Sequence, residues 1–584
     1  MKIQIPDTKI LNGIAAAPGI TIGQAYVYSK EKLEINNGDI TDIDEAIENF
    51  HEAITRSKYE LNKILNIALE KMGEKRAAIF EAQIMILDDP ILIDSIQHRI
   101  VSEKKSPEFI VYTEISKYQS IMDASDESYM KERSHDIDDI KNRIIRNLQK
   151  KRLQSKLRND VIVIAPTLSP ADTILFAKSN VKGFVTNFGG LTSHAAIVAR
   201  SLSIPAVVGT HEATSRIRNN DTIIVDGFHG LVIHNPNEDE LKFYRAKIEK
   251  LSKVGEELSK LRDLPAATLD GREIILRGNI DLPEEIETLI TNGARGIGLL
   301  RTEQVFGEIE TFPDEDQQYE MYSKFAEKIY PEYIVIRVFD VGGDKFLPHD
   351  IKEPNPFLGW RGIRFLLDNT EIFKTQIRAI LKASIHKNVK IMLPMIASMQ
   401  EIQASKTLIN QCKDELKKQK IKIDTHIKVG IMVEVPSAAI LAPEFAREVD
   451  FLSIGTNDLI QFILAVDRGN DIVSEEYDEF HPGVIRTINH VIKYGKESST
   501  FVSICGEMAA DSMAVPLLVG MGLDSISASP AAIPNIKNII RNISYEKAKT
   551  LTDACLKHAS AKEVTDEINR FFKENLIKHT KNLI

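Results

Sequence analysis

Gly183-Phe184-Val185-Thr186-Asn187-Phe188-Gly189-Gly190-Leu191-Thr192-Ser193-His194-Ala195-Ala196-Ile197-Val198-Ala199-Arg200 reads as strand, glycine-rich turn and helix. The apolar run at 183–186 suits a strand, Gly189-Gly190 a turn, and the run from Ala195 a helix. His194 falls in or just before the first helical turn. A helix start leaves backbone N–H groups unpaired and carries partial positive charge. It therefore suits a phosphoryl group, to which Thr192 and Ser193 can add hydroxyl donors. The same field disfavours imidazolium and keeps His194 neutral and nucleophilic near pH 7. A lone histidine at a helix start serves more often as a cap or a surface residue, so its meaning rests on the rest of the chain.

The chain has 584 residues, enough for about three or four domains. Hydrophobic residues make up 43%, which supports sizeable cores, and the net charge is −10 with both signs interspersed. No basic face for nucleic acid follows from that balance. The three cysteines, Cys412, Cys505 and Cys555, form no CxxC pair. They imply neither a disulfide framework nor a zinc site and fit a reducing cytosol. The start, Met1-Lys2-Ile3-Gln4-Ile5-Pro6-Asp7, lacks an apolar signal core. No run reaches the roughly 18 apolar residues of a membrane helix. The expectation is a soluble, cytoplasmic protein without membrane insertion.

Upstream of the opening stretch, 10–28 reads as short strands around the turn Pro18-Gly19, too few for a domain and in need of partners further on. Thr41 to Gln149 reads as a helical bundle: Ile43, Ala46, Ile47, Phe50 and Ile54 share one helical face, and Leu61, Ile64, Leu65, Ala68 and Leu69 continue the period. The segment 79–87 is more apolar than one buried face needs, which suits a partner surface. From Asp160 short β runs at 161–164 and 222–225 alternate with helices. The bundle is thus an insertion in an α/β domain. Asn237 to Asp263 is a charged amphipathic helix stopped by Leu264-Pro265. The expected boundaries are 1–30 for the first strands, 31–150 for the inserted bundle, 151–235 for the remaining α/β domain, 236–265 for a linker helix and 266–584 for a last domain.

That last domain contains eight strand-like runs, at 274–280, 296–300, 333–338, 389–395, 429–435, 451–455, 501–505 and 525–528, with helical stretches between them. A (β/α)8 barrel is the natural architecture, and such barrels carry chemistry at the C-terminal strand ends. Those ends are rich: Arg301-Thr302-Glu303, Arg337 followed by Asp340, Arg361, Glu434, Asn457-Asp458, Arg468 and Cys505-Gly506-Glu507. Arginine grips phosphate and carboxylate through paired donors. Glu434 and Asp458 supply hard oxygens suited to Mg²⁺ held by few protein ligands while a substrate completes the shell. Together they suit a small phosphorylated acid with a metal. Cys505 is either a small core residue or a thiol proton donor.

These residues resemble enzyme I of the bacterial sugar phosphotransferase system, essentially end to end. The likeness is carried by Ala17-Pro18-Gly19, Tyr129-Met130-Lys131-Glu132-Arg133, the His194 motif, Gly296 to Glu303, Asn355 to Arg361, Ser453 to Leu459 and Cys505-Gly506-Glu507. The resemblance implies that phosphoenolpyruvate phosphorylates His194 at Nε2. It implies that Arg301, Arg337, Arg361 and Arg468 bind the substrate with Asn457 and the backbone of Asp458. Glu434 and Asp458 would hold Mg²⁺, and Cys505 would protonate the enolate of departing pyruvate. The inserted bundle would dock the histidine phosphocarrier protein HPr, and the barrel would carry a homodimer interface. His194 must then serve two sites, which implies a swivel of the α/β part about linkers near Asn235-Pro236 and Leu264-Pro265. Leu191 stands where the family commonly has Arg, Gln304-Val305-Phe306-Gly307 replaces an aromatic-rich stretch, and Ile460 and Phe462 sit where Thr and Tyr are common. ATP-dependent dikinases share the histidine motif and barrel but carry an ATP-grasp domain; the space here is helical, without a Gly-rich nucleotide loop.

Overall fold

The computed structural model describes residues 9–28, 35–72, 74–123, 128–151, 160–190, 193–202, 204–283, 285–305, 312–342, 355–468, 470, 473 and 476–576. The chain forms two compact units, Met1–Lys250 and Leu251–Ile584.

The first unit is built on a mixed sheet of β1 (Ile10–Asn12), β2 (Ile14–Ala17), β3 (Ile20–Val27), β4 (Val161–Ala165), β5 (Gly183–Thr186), β6 (Ala206–Val208), β7 (Thr222–Asp226) and β8 (Leu231–His234). Their order is β1-β8-β7-β3-β4-β5-β6-β2. The early strands do find partners far along the chain: β1 pairs with β8, β2 with β6, and β3 lies between β4 and β7. β3 to β6 run parallel. All five residues of β4 are buried, as a strand covered on both faces requires. The turn at Pro18-Gly19 uses φ +134 at Gly19, a conformation that glycine adopts readily.

Between β3 and β4 lie helices Ile43–Met72, Glu74–Asp88, Pro90–Glu103, Pro107–Asp123 and Ser128–Leu148. Two prolines that interrupt this region in sequence open helices, where the missing N–H costs nothing. Asp89 caps one of them by accepting the N–H of Ile91 at 2.9 Å. Phe50, Leu61, Phe80, Leu87, Ile96, Ile110 and Ile144 fill the core, each burial contributing about 1.5–3 kcal/mol. In the apolar segment 79–87, Phe80, Gln83 and Leu87 turn inward while Met85 is 72% exposed. The helix Glu238–Ser259 seats Leu241 and Tyr244 against Ile224 and Ile233, and Lys247 pairs with Asp226 at 3.1 Å. Its first turns are therefore docked to the sheet rather than free.

The second unit is a closed barrel of β9 (Ile275–Ile280), β10 (Ile297–Arg301), β11 (Ile334–Arg337), β12 (Val389–Leu393), β13 (Lys428–Val433), β14 (Phe451–Gly455), β15 (Phe501–Cys505) and β16 (Ser525–Ala528). All neighbours are parallel. Parallel strands in one closed ring bring all C-terminal ends to one rim, which is what assembles the site. No helix among the described residues is long and apolar enough to cross a membrane.

Candidate active site at the barrel mouth

The rim is organised by Asp340, just beyond β11 and almost fully buried. Its Oδ1 accepts Arg361 Nε at 2.9 Å and its Oδ2 accepts Arg361 Nη2 at 2.9 Å. Arg337, the last residue of β11, reaches the same Oδ2 at 2.9 Å through Nη1 and pairs with Glu303 through Nη2. Arg361 continues to Asp458, with Nη2 at 2.9 Å from Oδ2 and Nη1 at 3.4 Å from Oδ1. A buried chain of carboxylates and guanidiniums thus crosses the mouth. Burial works against the charge of Asp340, but Arg337 and Arg361 hold its carboxyl below the usual range. The two guanidiniums remain charged, burial being overcome by Glu303 and Asp340 at Arg337 and by Asp340 and Asp458 at Arg361.

Arg301 ends β10 and donates to Asp281 Oδ2 at 3.4 Å. Asn457 and Glu507 bond reciprocally: Asn457 Nδ2 donates to Glu507 Oε1 at 3.1 Å, and the Glu507 N–H to Asn457 Oδ1 at 2.8 Å. Arg468 donates to the same Glu507 oxygen at 3.4 Å. Arg301 and Arg468 keep about a third of their side chains exposed, at 33% and 35%, so they are the two guanidiniums of the mouth open to an incoming anion.

Cys505 ends β15 and lies inside the barrel with Leu299, Val335, Met392 and Met432. Its Sγ donates to Ile454 O at 3.5 Å and accepts from Ser453 Oγ at 3.5 Å. Burial first, and Glu434 next, push the thiol above its ordinary range against the pull of Ser453, Arg337 and Arg301. It is a protonated thiol at neutral pH. Glu434, just beyond β13, is buried and accepts the Met395 N–H at 2.6 Å. Met395 takes φ +55 to deliver that bond, an uncommon conformation for a residue with a side chain. Burial, then Asp340 and Asp458, push Glu434 up to about 8. A divalent cation between Glu434 and Asp458 would reverse that shift, so the donor set fits a hard metal ion. Among the described residues no group of three or more His, Cys, Asp or Glu is arranged to cage a metal.

Gly506 has φ +102, and a Cβ there would lie 2.3 Å from Thr456 Oγ1 and 2.8 Å from Asn457 Oδ1. Thr456 in turn donates to Cys505 O at 3.1 Å. Gly506→Ala is therefore expected to destabilise the barrel by about 2–4 kcal/mol. Calorimetry should find a melting temperature lower by several degrees.

In the first unit, His194 is the first residue of the helix His194–Ser201, as its sequence context predicts. Ser193 caps that helix: its Oγ accepts the Ala196 N–H at 3.4 Å and donates to Gly190 O at 2.8 Å. Ala195, Ala196 and Ala199 are small enough to seat the helix close against Ala16, Ala17, Phe184 and Val208. Arg200 Nη1 donates to Ala16 O at 3.1 Å. Leu191 and Thr192 lie outside the described residues. Arg301, Arg337, Arg361, Glu434, Asn457, Asp458, Arg468 and Cys505 all belong to the barrel unit, whereas His194 does not.

Three family models match the chain: PEP-utilising enzyme, N-terminal, over residues 12–133; PEP-utilising enzyme, mobile domain, over 157–230; and PEP-utilising enzyme, PEP-binding domain, over 255–545. The phosphoenolpyruvate-protein phosphotransferase of Staphylococcus carnosus (strain TM300) is 40% identical over 97% of this chain and 99% of its own length. That of Bacillus subtilis (strain 168) is 40% identical over 96% of this chain and 100% of its own. The chain belongs to the phosphoenolpyruvate-protein phosphotransferase family. An Enzyme I protein solved by NMR is 42% identical over 41% of this chain and 99% of its own, with a TM-score of 0.37. Within this family of phosphotransferase enzymes, the barrel mouth falls in the segment matched by the PEP-binding model and His194 in that matched by the mobile domain.

Sequence reasoning placed no role on Asp340, Glu303 or Met395. Asp340 stands three residues after a strand-end arginine, a spacing that suggests an ion pair but not a hub shared by two arginines. The contribution of Met395 comes from its backbone, to which residue type is blind.

Proposed function

We propose that the protein transfers the phosphoryl group of phosphoenolpyruvate to His194 and then to a histidine of HPr, releasing pyruvate. The observation that carries this reading is the barrel mouth, where arginines, two candidate metal carboxylates and a protonated buried thiol share one rim. In this reading Arg301 and Arg468 draw in the anionic substrate, while Arg337 and Arg361, fixed by Asp340, stabilise charge on the transferring phosphoryl group. Asn457 and the Asp458 backbone orient the substrate. Mg²⁺, held through Glu434 and Asp458, supplies charge neutralisation on phosphate and carboxylate oxygens.

The chemistry balances in two steps. The Nε2 lone pair of His194 attacks phosphorus, the bond from phosphorus to the enol oxygen breaks, and its electrons form the enolate. The methylene carbon of the enolate takes the Cys505 proton, giving pyruvate, and solvent later restores the thiol. A histidine of HPr then takes the phosphoryl group from His194. The inserted helical bundle is the proposed docking domain for HPr, the α/β domain the carrier of His194, and the barrel the substrate and homodimer domain. The setting is the cytoplasm.

The test is incubation with labelled phosphoenolpyruvate and Mg²⁺, followed by addition of HPr. Label is expected on the protein first and on HPr after the addition. No label on the protein defeats the proposal, and label that arrives only from ATP would reassign it to a dikinase.

Cys505→Ala should keep His194 phosphorylation in a single turnover yet slow pyruvate release about 10²–10⁴-fold, the usual worth of a positioned acid. The raised thiol stays protonated below the ordinary range near 8.5 and loses its proton only above it. Wild-type turnover should therefore fall on the alkaline side, and this limb should vanish in Cys505→Ala. A persisting alkaline limb assigns proton donation elsewhere. Glu434→Gln should raise the Mg²⁺ concentration for half-activity by more than the roughly 10–100-fold that outer-shell partners cost. Titrating Mg²⁺ against activity measures it.

A further inference from the structure

The floor of the barrel, opposite the mouth, holds two cations that form no carboxylate ion pair among the described residues. Arg277 is the third residue of β9 and Lys390 the second of β12, both toward the N-terminal strand ends. Phe451 and Phe501 open β14 and β15, and Tyr333 stands just ahead of β11. The Arg277 guanidinium lies 5.4 Å from the centroid of the Phe501 ring, and Lys390 Nζ lies 5.7 Å from the same centroid. Lys390 Nζ is also 4.4 Å from the Tyr333 centroid and 5.7 Å from that of Phe451.

Arg277 is only 6% exposed, and its Nε is buried without a hydrogen-bond partner. Its guanidinium lies over the aromatic face of Phe501. The carboxylates whose fields reach these cations are engaged elsewhere. Glu332 acts on Arg277 but is paired with Arg295 at 3.5 Å. Asp450 acts on Lys390 but is paired with Lys428 at 2.7 Å. Burial first, then Arg277, lowers Lys390 to about 8, and Lys428 adds to that while Asp450 opposes it. A ring face compensates a cation only in part. A guanidinium removed from water without an acceptor is costly, and a second cation facing the same ring adds repulsion.

We propose that the barrel floor binds a small doubly charged oxyanion of the phosphate class between Arg277 and Lys390. The guanidinium supplies a planar donor fork, the ammonium a point charge, and together they match a dianion. The site lies at the end of the barrel remote from the arginines of the mouth and is independent of the substrate reading.

The experiment uses the full chain with lysines reductively methylated with ¹³C, and inorganic phosphate as the probe. The Lys390 resonance, assigned through Lys390→Arg, should titrate near pH 8 in chloride buffer. Millimolar phosphate should move the midpoint up by at least about half a pH unit, because a bound anion favours the ammonium. The shift should persist in Arg301→Met, which weakens the mouth alone, and disappear in Arg277→Gln. Should that variant not fold, Arg277→Lys, which keeps the charge but loses the fork, should shrink the shift. A Lys390 midpoint indifferent to phosphate overturns the proposal, as does a shift that survives loss of the Arg277 fork.

Discussion

His194→Ala is expected to accept no phosphoryl group from phosphoenolpyruvate and to pass none to HPr. The variant loses the one atom that would form the covalent intermediate, and removal of a nucleophile typically costs about 10⁶ in rate. Structure is spared. Alanine is the best helix former, and the cap is supplied by Ser193 rather than by His194. The barrel is a separate unit with its own core. Substrate should therefore still bind: phosphoenolpyruvate with Mg²⁺ at about 100 times its dissociation constant stabilises a binding protein by about 2.7 kcal/mol. The expected result is a normal ligand-induced rise in melting temperature together with absence of label. Label on the variant equal to wild type would show that another residue is the acceptor. Loss of both label and thermal shift would mean a damaged protein and would shift the test to His194→Gln.

The second large effect is expected at Arg337. Its guanidinium is buried between Glu303 and Asp340. Arg337→Met takes the cationic partner from buried Glu303 and leaves Asp340 with Arg361 alone, a loss of about 3–5 kcal/mol. It also removes a charge from the proposed phosphoryl-transfer site, for which about 10³–10⁵ in kcat is typical. Arg337→Lys separates the two effects. It keeps the charge but not the fork, so stability should recover in large part while activity stays depressed.

The pH dependence has a definite sign. In wild type the Asp340 carboxyl lies below its unfolded value, so its contribution is present above that value and is lost as pH falls through the folded one. Burial already holds Glu303 and Glu434 above their unfolded values in wild type, against the pull of Arg337; without Arg337 they rise further, and the stability they cost grows as pH rises. The stability gap between wild type and Arg337→Met should therefore be smaller at pH 5 than at pH 8. Denaturant melts at the two values measure it, and a gap that narrows toward pH 8 contradicts the assigned charge network.

Legibility from sequence varied with the physics involved. Strands at 451–455, 501–505 and 525–528 agree with the structure because each is a short apolar run that must be covered on both faces. The apolar run at 389–395 extends two residues beyond the strand it forms. β12 ends at Leu393, and Met395 turns to positive φ to meet Glu434. Residue type gave no hint of this, since methionine is ordinary strand or core material. Arg301 and Arg337 stand at strand ends in the sequence, and Arg361 and Arg468 in the segments that follow a strand, but their inequality is not legible there. Arg337 and Arg361 are locked by Asp340, whereas Arg301 and Arg468 remain partly open. Burial and partner geometry decide that difference, and both depend on which distant strands become neighbours.

The helix start at His194 came from local chemistry: two glycines, a capping hydroxyl residue and an alanine-rich run suffice to begin a helix at that point. The order of elements and the set of chemical groups were likewise determined by the sequence, because propensity and hydrophobic period act over a few residues. The tertiary structure alone decided that Asp340 joins two arginines, that Cys505 is a buried and protonated thiol, and that Arg277 faces an aromatic ring without an acceptor. Apart from the Arg337–Asp340 pair, those properties arise from contacts between residues tens to hundreds of positions apart, which the tertiary fold brings together.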